Sequence, residues 1–252
     1  MMRCKVGVQL WPQATSMDAL RRAAREVEDA GLDSLWTWDH FFPLTGDPDA
    51  THFEAWTLLT AFAADTSRVQ LGLLVGCNSY RNPHLVADMA RTVDHVSGGR
   101  TVLGIGAGWF RRDYEEYEIP FGTAGARLRD LESSLYRIRR RLSQLNPPPL
   151  GRLPILVGGG GEKVTLRLVA QYADMWNGYG TPEEFAHKNA VLDRWCEKLD
   201  RDPATIERTI HIGANEVDDV EAFIDAGAEH VIVRCEAPFD LGPARRLLAS
   251  VT

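Results

Sequence analysis

One strand–helix–strand unit, the stretch Val69–Gly108, constrains the fold of this chain more than any other feature. Its two predicted strands, Val69–Val75 and Thr101–Ile105, are nearly continuous apolar runs, as is typical of strands that are buried on both faces. A helix is predicted to begin at Pro83 and to end at Ser97-Gly98-Gly99. Four apolar residues recur at helical spacing between those points: Leu85, Met89, Val93 and Val96. A crossover of this length joins parallel strands, so the stretch indicates a parallel α/β fold.

The same alternation of strand and helix continues along the chain. Predicted strands are Lys5–Leu10, Ser34–Trp38, Val69–Val75, Thr101–Ile105, Pro154–Val157, Asp174–Asn177, Thr209–Gly213 and His230–Arg234. Besides the helix from Pro83, predicted helices are Asp18–Ala30, Phe53–Ala64, Arg127–Leu145, Glu162–Tyr172, a helix from a capping box at Thr181 to Leu199, Asp218–Ala226 and Asp240–Ser250. Eight strands alternating with eight helices in 252 residues predict an α/β fold, the (β/α)8 TIM barrel. No low-complexity linker divides the chain, so one domain is predicted over residues 1–252.

Charge and composition argue against several classes of function. The 35 acidic and 28 basic residues give a net charge of −7, which disfavours a nucleic-acid or membrane-surface partner, because both require a basic face. No apolar run approaches the length of a membrane span, and the first residues contain no signal-peptide core. The four cysteines and seven histidines have no metal-binding spacing. We therefore expect a cytoplasmic protein with reduced thiols and no metal site.

Four consecutive glycines, Gly158–Gly161, lie between the fifth predicted strand and the helix that follows it. In a barrel, the chemistry belongs to such loops at the carboxyl ends of the strands. Residues without Cβ let backbone N–H groups approach an anion closely, and the helix N-terminus adds a favourable dipole. A tight turn would need fewer glycines, so a phosphate-binding loop is favoured over a turn alone. The loop is not a Walker A motif, and Gly104–Gly108 is not a dinucleotide fingerprint.

A histidine next to an acid, Asp39-His40, follows the second predicted strand. There His40 could exchange a proton with a substrate near neutral pH, or it could be satisfied by loop backbone, and the residues alone leave both interpretations open. Five tryptophans at strand ends suggest a large flat ligand, although tryptophan fills cores more often than it stacks on cofactors: Trp11, Trp36, Trp38, Trp109 and Trp176. Four other histidines are expected to face solvent or line helices: His84, His95, His187 and His230.

Several of these motifs occur together in a known family. They are the segment from Ser34-Leu35-Trp36 to Asp39-His40, Val69–Gly76, Asn78–Pro83, Ser97-Gly98-Gly99-Arg100, Leu103–Trp109 and Gly158–Lys163. Together they resemble the bacterial luciferase-like monooxygenase superfamily, and more narrowly its branch that uses the deazaflavin coenzyme F420. The resemblance extends over almost the whole chain. It implies a coenzyme F420-dependent oxidoreductase that transfers hydride between the deazaflavin and a small organic substrate, in a protein that is often a homodimer.

The resemblance also implies roles for individual residues. In that family a bulge after the third strand, frequently with a non-prolyl cis peptide, supports the deazaflavin ring, and here it would fall around Val75-Gly76-Cys77. The glycine loop would hold the coenzyme phosphate, His40 would be the catalytic residue beside the reacting ring carbon, and Asp39 would face the coenzyme. The residues expected to contact the coenzyme are Asp39, Val75, Gly76, Cys77, Asn78, Gly106, Ala107, Gly108, Gly158, Gly159, Gly160, Gly161, Glu162, Lys163 and Trp176.

Departures from the family pattern bear on the substrate. Sugar-phosphate dehydrogenases of the family have an acid and a tryptophan where this chain has Trp109 and Leu44, so a sugar phosphate is not expected. Eight residues separate Leu145 from Pro154, which makes a shortened loop between the fourth predicted helix and the fifth strand, and a further contraction lies between His211 and Val231. Three alternatives remain: an FMN-dependent luciferase-like monooxygenase, a barrel that binds a flavin-type ligand without turnover, or a structural barrel with an empty mouth, which would leave the glycine loop unexplained.

Overall fold

The structure, a computed structural model, describes residues 3–251, and its strands and helices alternate as the sequence predicts. The strands are β1 (Lys5–Leu10), β2 (Ser34–Thr37), β3 (Gln70–Leu73), β4 (Gly76–Cys77), β5 (Thr101–Gly106), β6 (Ile155–Gly158), β7 (Met175–Gly178), β8 (Glu207–Ile212) and β9 (His230–Cys235). The helices are α1 (Met17–Asp29), α2 (Ala55–Asp65), α3 (Pro83–Ser97), α4 (Arg111–Glu116), α5 (Ala124–Leu142), α6 (Thr165–Tyr172), α7 (Pro182–Lys198), α8 (Val220–Asp225) and α9 (Gly242–Ser250).

The strands form one closed parallel barrel. Their order is β3-β2-β1-β9-β8-β7-β6-β5-β4, and β3 also pairs with β5, which closes the ring. Because β3 and β4 are two pieces of the third barrel strand, the barrel has eight strands, with the helices outside. The prediction of a single-domain (β/α)8 TIM barrel is therefore confirmed.

The third barrel strand is broken where the resemblance implied a bulge. The peptide bond between Leu74 and Val75 is cis, and the strand resumes at Gly76. Glycines on neighbouring strands make room for the break: a Cβ on Gly104 would lie 1.8 Å from the Leu73 carbonyl oxygen, and one on Gly158 would lie 2.9 Å from the Val75 side chain. Because these glycines have no side chain, Val75 can pack against the inner wall of the barrel near the carboxyl ends of the strands.

Apolar side chains form two layers. Most of the core lies between the strands and the surrounding helices, whereas a smaller cluster fills the barrel interior: Trp36, Leu74, Val102, Leu156, Met175 and Ile232. The interior is therefore a packed core, as is usual in such barrels.

Helix ends follow the sequence signals, but one helix face does not. The capping box at Thr181 and Glu184 starts α7, and Gly98 ends α3 with a φ of 70°. Along α3, however, Leu85 and Val96 are exposed, because the buried face is the one that carries Val86, Ala90 and Val93. The short helix α4 was not predicted at all. Within residues 3–251 no helix is both long and apolar enough to cross a membrane.

A polar cluster closes the amino-terminal end of the barrel, and we call it the bottom cluster. Its members are the first residues of four strands: Lys5, Ser34, Glu207 and His230. His230 lies 2.7 Å from the Ser34 hydroxyl through Nε2 and 2.8 Å from the Glu207 carboxylate through Nδ1, and Lys5 donates to the same carboxylate at 2.7 Å. His230 is fully buried. The expectation that it would face solvent or line a helix is wrong, because it is the central member of this cluster.

Candidate active site

A cavity of about 630 Å³ opens at the carboxyl ends of the strands. Most of the residues predicted to form the site line it: Asp39, His40, Val75, Gly76, Cys77, Gly106, Ala107, Gly108, Gly158, Gly159, Gly160 and Gly161. The volume lies in the range that protein sites use for cofactors and small molecules. One cavity thus joins the glycine loop, the break in the third strand and the histidine.

Four of the predicted residues do not line the cavity: Asn78, Glu162, Lys163 and Trp176. The Glu162 carboxylate forms ion pairs with Lys188 at 2.5 Å and His187 at 3.1 Å, and the Lys163 side chain is exposed. Asn78 is buried in the turn after β4. Trp176 is buried in the core, where its ring stacks on Phe185.

The glycine loop has free backbone donors. Gly159 donates its N–H to the Asn177 carbonyl at 3.2 Å, and its own carbonyl accepts the Trp176 indole N–H at 2.8 Å, which fixes the start of the loop. Within residues 3–251 the N–H groups of Gly160 and Gly161 donate to no protein acceptor. A Cβ on Gly161 would lie 2.8 Å from the Thr165 hydroxyl, so the loop needs glycine there to pass close to α6. The loop therefore offers unused donors at the start of a helix, as anion sites do.

His40 is held from one side by a buried carboxylate. Its Nδ1 lies 2.6 Å from Asp113, which also accepts the Tyr80 hydroxyl at 2.6 Å and the Phe41 N–H at 3.0 Å. Burial raises the pKa of Asp113, but these hydrogen bonds outweigh it and hold the pKa below its usual value. An ionised carboxylate accepts only, so Nδ1 carries the proton that is shared with Asp113. Nε2 is then the ring nitrogen that is left for a ligand in the cavity.

Asp39 is not a free charge in the cavity. Its two oxygens accept from the Arg81 guanidinium at 2.7 and 3.0 Å, and one also accepts the Cys77 N–H at 2.9 Å. Burial raises the pKa of Asp39, although the bonds from Arg81 and Cys77 favour its charged form. Arg81 is bound in turn by Glu54 at 2.6 Å. This network fixes the strand that follows the break.

Three of the five tryptophans reach the cavity. Trp11 and Trp38 lie with their ring centroids 4.3 Å apart, and Trp38 and Trp109 approach His40 edge-on at 5.8 and 5.7 Å. The prediction that all five cluster around a flat ligand is wrong for Trp36 and Trp176. Trp36 fills the barrel interior and donates to Ser34 in the bottom cluster, whereas Trp176 packs in the core.

Two histidines near the cavity are kept neutral by burial. Burial, with Arg234 nearby, lowers the pKa of His211 to about 4, and burial together with His40 lowers that of His52 to about 4. His52 accepts the Trp38 indole N–H at 3.1 Å. His211 lines the cavity, and its Nε2 is buried without a partner within residues 3–251. A ligand with a polar group at that position would give it one.

Sequence reasoning missed Asp113, Tyr80, Arg81 and His211. Tyr80 and Arg81 belong to a polar loop that leaves directly from a strand's carboxyl end, so their position was a usable signal. Asp113 lies on the unpredicted helix α4, whose six residues are too short for a periodic pattern to be read.

Comparison with known proteins extends this picture. A family model described as luciferase-like monooxygenase matches residues 2–232. A phthiodiolone/phenolphthiodiolone dimycocerosates ketoreductase from Mycobacterium bovis is 30% identical over 248 residues, which cover 82% of this chain and 63% of that protein. An F420-dependent secondary alcohol dehydrogenase, solved with an F420–acetone adduct, has a TM-score of 0.86 at 17% identity, over 100% of this chain and 98% of its own. The FMN-bound oxygenating constituent of 3,6-diketocamphane monooxygenase from Pseudomonas putida has a TM-score of 0.75 at 13% identity, over 98% and 96%. The two solved structures share the fold of this chain.

Proposed function

Because the chain belongs to the luciferase-like monooxygenase family, we propose that it is an oxidoreductase that uses coenzyme F420. In this proposal the deazaflavin exchanges a hydride with a small organic substrate, and His40 exchanges the matching proton. Solved relatives described with F420 or with FMN support a deazaflavin or flavin cofactor, and the motifs of the F420 branch favour the former.

One observation carries the proposal: a single cavity connects the free donors of the glycine loop to His40. The cavity passes the break in the third strand on the way, with Val75 and Gly76 in its wall. An elongated ligand with an anionic tail and a flat ring matches the order of these features along the cavity, because anions bind unpaired N–H groups and flat rings bind apolar walls.

The residues present fit such a ligand. The N–H groups of Gly160 and Gly161 would hold the phosphate, and Val75 would support the ring. The buried, unpartnered Nε2 of His211 would gain a hydrogen bond from a polar group of the bound molecule. Lys188 lies beside the loop, with its side chain 3.7 Å from where a Cβ on Gly160 would be, but its ammonium group is paired with the Glu162 carboxylate at 2.5 Å.

His40 and Asp113 divide the proton chemistry between them. A bound, reduced deazaflavin supplies the hydride, while the protein positions the reactants and controls the proton. His40 gives a proton from Nε2 to the substrate oxygen, and it keeps its other proton on Nδ1, where Asp113 accepts it. Asp113 acts as a positioning residue, because it fixes which ring nitrogen is available and how the ring is oriented.

Titration of the purified protein with F420 and, in parallel, with FMN tests the proposal. We expect F420 to bind with a Kd in the micromolar range, whereas affinity no tighter than about 1 mM for both molecules would contradict it. Tighter binding of FMN would favour the FMN-dependent monooxygenase. Binding of F420 without turnover of any substrate would favour the barrel that only binds its ligand.

A pair of variants at Gly160 tests the phosphate site. A Cβ there would meet no atom closer than 3.7 Å, so both Gly160→Asp and Gly160→Asn should fold. The aspartate adds a negative charge beside the phosphate and should weaken F420 binding about 10- to 100-fold relative to the asparagine. Equal affinities of the two variants would remove the glycine loop from the coenzyme site.

A further inference from the structure

Two large aromatic side chains that line the cavity are left in contact with solvent. Trp109 is 62% exposed and Tyr179 is 64% exposed, whereas Trp11 and Trp38 in the same wall are buried. Among the exposed large apolar side chains of residues 3–251, Trp109 and Tyr179 are the two that line the cavity. Exposed apolar surface beside a cavity is typical of a surface that a ligand covers.

The two side chains stand at different ends of the cavity. Trp109 follows β5, and its ring lies edge-on to His40, with the ring centroids 5.7 Å apart. Tyr179 follows β7, and its hydroxyl lies 3.8 Å from where a Cβ on Gly160 would be, beside the glycine loop. Trp109 is therefore at the end where the ring of the coenzyme would react, and Tyr179 is at the end where its phosphate would bind.

The backbone around Trp109 is fixed on both sides. Before it, Gly108 has a φ of 79°, and a Cβ there would overlap the Tyr114 hydroxyl. The Gly108 carbonyl also accepts from the buried Arg127 guanidinium at 3.1 Å. After it, α4 begins at Arg111. An exposed indole on a fixed Cα moves by rotation about its side-chain bonds, which is fast and needs no rearrangement of a loop.

The backbone around Tyr179 is fixed in a similar way. Gly180 has a φ of 107°, and a Cβ there would overlap the Glu184 carboxylate. Thr181 and Glu184 then form the capping box that starts α7. Within residues 3–251, neither the Tyr179 hydroxyl nor the Trp109 indole N–H has a hydrogen-bond partner. Both side chains thus keep an exposed ring and an unpaired donor on a rigid backbone.

We propose that Trp109 and Tyr179 close over the bound coenzyme, Trp109 over its ring and Tyr179 over its phosphate. This inference rests on the proposed function. The indole packs against the flat ring, which favours binding because both groups remove apolar surface from water. The Tyr179 hydroxyl donates to the phosphate and adds a third donor to the N–H groups of Gly160 and Gly161. Together the two side chains exclude water from the site of hydride transfer.

Two matched pairs of ligands test the proposal by calorimetric titration, without turnover. F420 is compared with the same deazaflavin lacking the phosphate, and FMN is compared with riboflavin. Trp109→Ala should weaken both members of a pair about 10-fold, because both carry the ring and stacked heteroaromatic rings contribute that much. Tyr179→Phe should weaken the phosphorylated member about 5-fold or more and leave the other member within about twofold, because it removes only a donor to a charged group. Tyr136→Ala on α5, which is similarly exposed and outside the cavity, is the control.

The burial of the indole on binding is measured directly by NMR. In protein labelled with 5-fluorotryptophan, the ¹⁹F resonance of Trp109 is the one that is missing in Trp109→Phe, which should fold because the side chain is exposed. The change in this resonance between H2O and D2O reports contact with solvent. We expect that change to fall about twofold or more when F420 binds, while the resonances of the buried tryptophans keep theirs. A Trp109 resonance that stays exposed in the complex, or variants that bind as tightly as Tyr136→Ala, overturn the proposal.

The outcomes separate this proposal from the proposed function. If F420 binds while Trp109 stays exposed, the closure fails and the proposed function stands. If only the flavin pair binds and the variants act on it as expected, the closure stands and the use of F420 fails. If neither pair binds with a Kd tighter than about 1 mM, both fail.

Discussion

The two ends of the barrel each carry a buried histidine paired with a carboxylate and a hydroxyl group. At the mouth, His40 contacts Asp113, which also accepts the Tyr80 hydroxyl. At the bottom, His230 contacts Glu207 and Ser34. The pKa values of Asp113 and Glu207 are both held below the usual range, because hydrogen bonds from their partners outweigh the effect of burial, which raises the pKa. The two sets therefore share their chemistry but differ in what their histidines can still bind.

The difference lies in the second ring nitrogen. At the bottom both nitrogens of His230 have protein partners, and the ring is fully buried, so no atom is left for a ligand. At the mouth, among residues 3–251, Nδ1 of His40 has a partner and Nε2 has none, and the residue lines the cavity. A satisfied network stabilises and specifies the fold, whereas an incomplete one beside a cavity can react. The comparison predicts opposite effects when each set is disrupted.

Removing the histidine at the mouth should give the largest effect. We expect His40→Asn to lower kcat about 10²- to 10⁴-fold, because the substrate oxygen loses its proton partner. The rate at which reduced F420 is oxidised in the presence of an organic substrate of the protein measures this. The affinity for F420 and the urea midpoint of unfolding should stay close to those of the parent protein, because the asparagine amide can still donate a hydrogen bond to the buried Asp113 carboxylate. A rate within threefold of the parent protein would contradict the assignment of His40.

Removing the histidine at the bottom should instead destabilise the fold. His230→Ala removes a buried ring and leaves the half-buried Glu207 carboxylate and the buried Ser34 hydroxyl with one partner fewer, so the free energy of unfolding should fall by about 2–4 kcal/mol. Urea denaturation measures the loss, and His84→Ala, at an exposed position, is the control. At a temperature where the variant is folded, its F420 affinity should equal that of the parent protein. Unchanged stability with weakened F420 binding would reverse the comparison.

Part of this difference between His40 and His230 could be predicted from the sequence. It gave His40 a position just after a strand and His230 a position at the start of one, and in a barrel these positions lie at opposite ends. The partners were not predictable, because Asp113 is 73 positions from His40 and Glu207 is 23 from His230. Alternation of apolar runs and helices fixes the barrel, but not which side chains meet across it.

The tryptophans illustrate the same limit. Trp36 and Trp38 are two residues apart, so their side chains are expected on the same face of the strand. Trp36 nevertheless fills the barrel interior, whereas Trp38 reaches the cavity. The distinction is depth along the barrel axis, which periodicity does not encode. Glycine was more informative, because Gly104 and Gly158 are required by the break in the third strand, and the motifs that contain them led to the site.

Weakening the positioning of His40, rather than removing it, should give an intermediate effect. We expect Asp113→Asn to lower kcat about 10- to 100-fold, because an amide holds the Nδ1 proton less firmly and can also donate. Tyr80→Phe keeps the carboxylate and should lower kcat less. The ¹⁵N chemical shifts of His40 in the coenzyme-free protein report which nitrogen carries the proton. An unchanged tautomer together with an unchanged kcat in Asp113→Asn would leave Asp113 with a purely structural role.

The smallest effect should come from His211, whose buried Nε2 has no partner in the described part of the chain. The pKa of His211 is about 4 in the folded protein, against 6.5 as its ordinary value, so between these pH values the unfolded chain binds more protons. The contribution of neutral His211 to the free energy of unfolding is therefore fully present above about pH 6.5 and is lost as the pH falls towards 4. We expect a loss of about 1–2 kcal/mol by pH 5. His52 contributes in the same window and sign, because its pKa is also lowered to about 4. His211→Asn should therefore remove part of the slope of stability against pH that urea denaturation measures between pH 7 and pH 5. An identical slope in the variant would mean that His211 gains a partner in solution, and the contrast between the two ends of the barrel would then rest on Nε2 of His40.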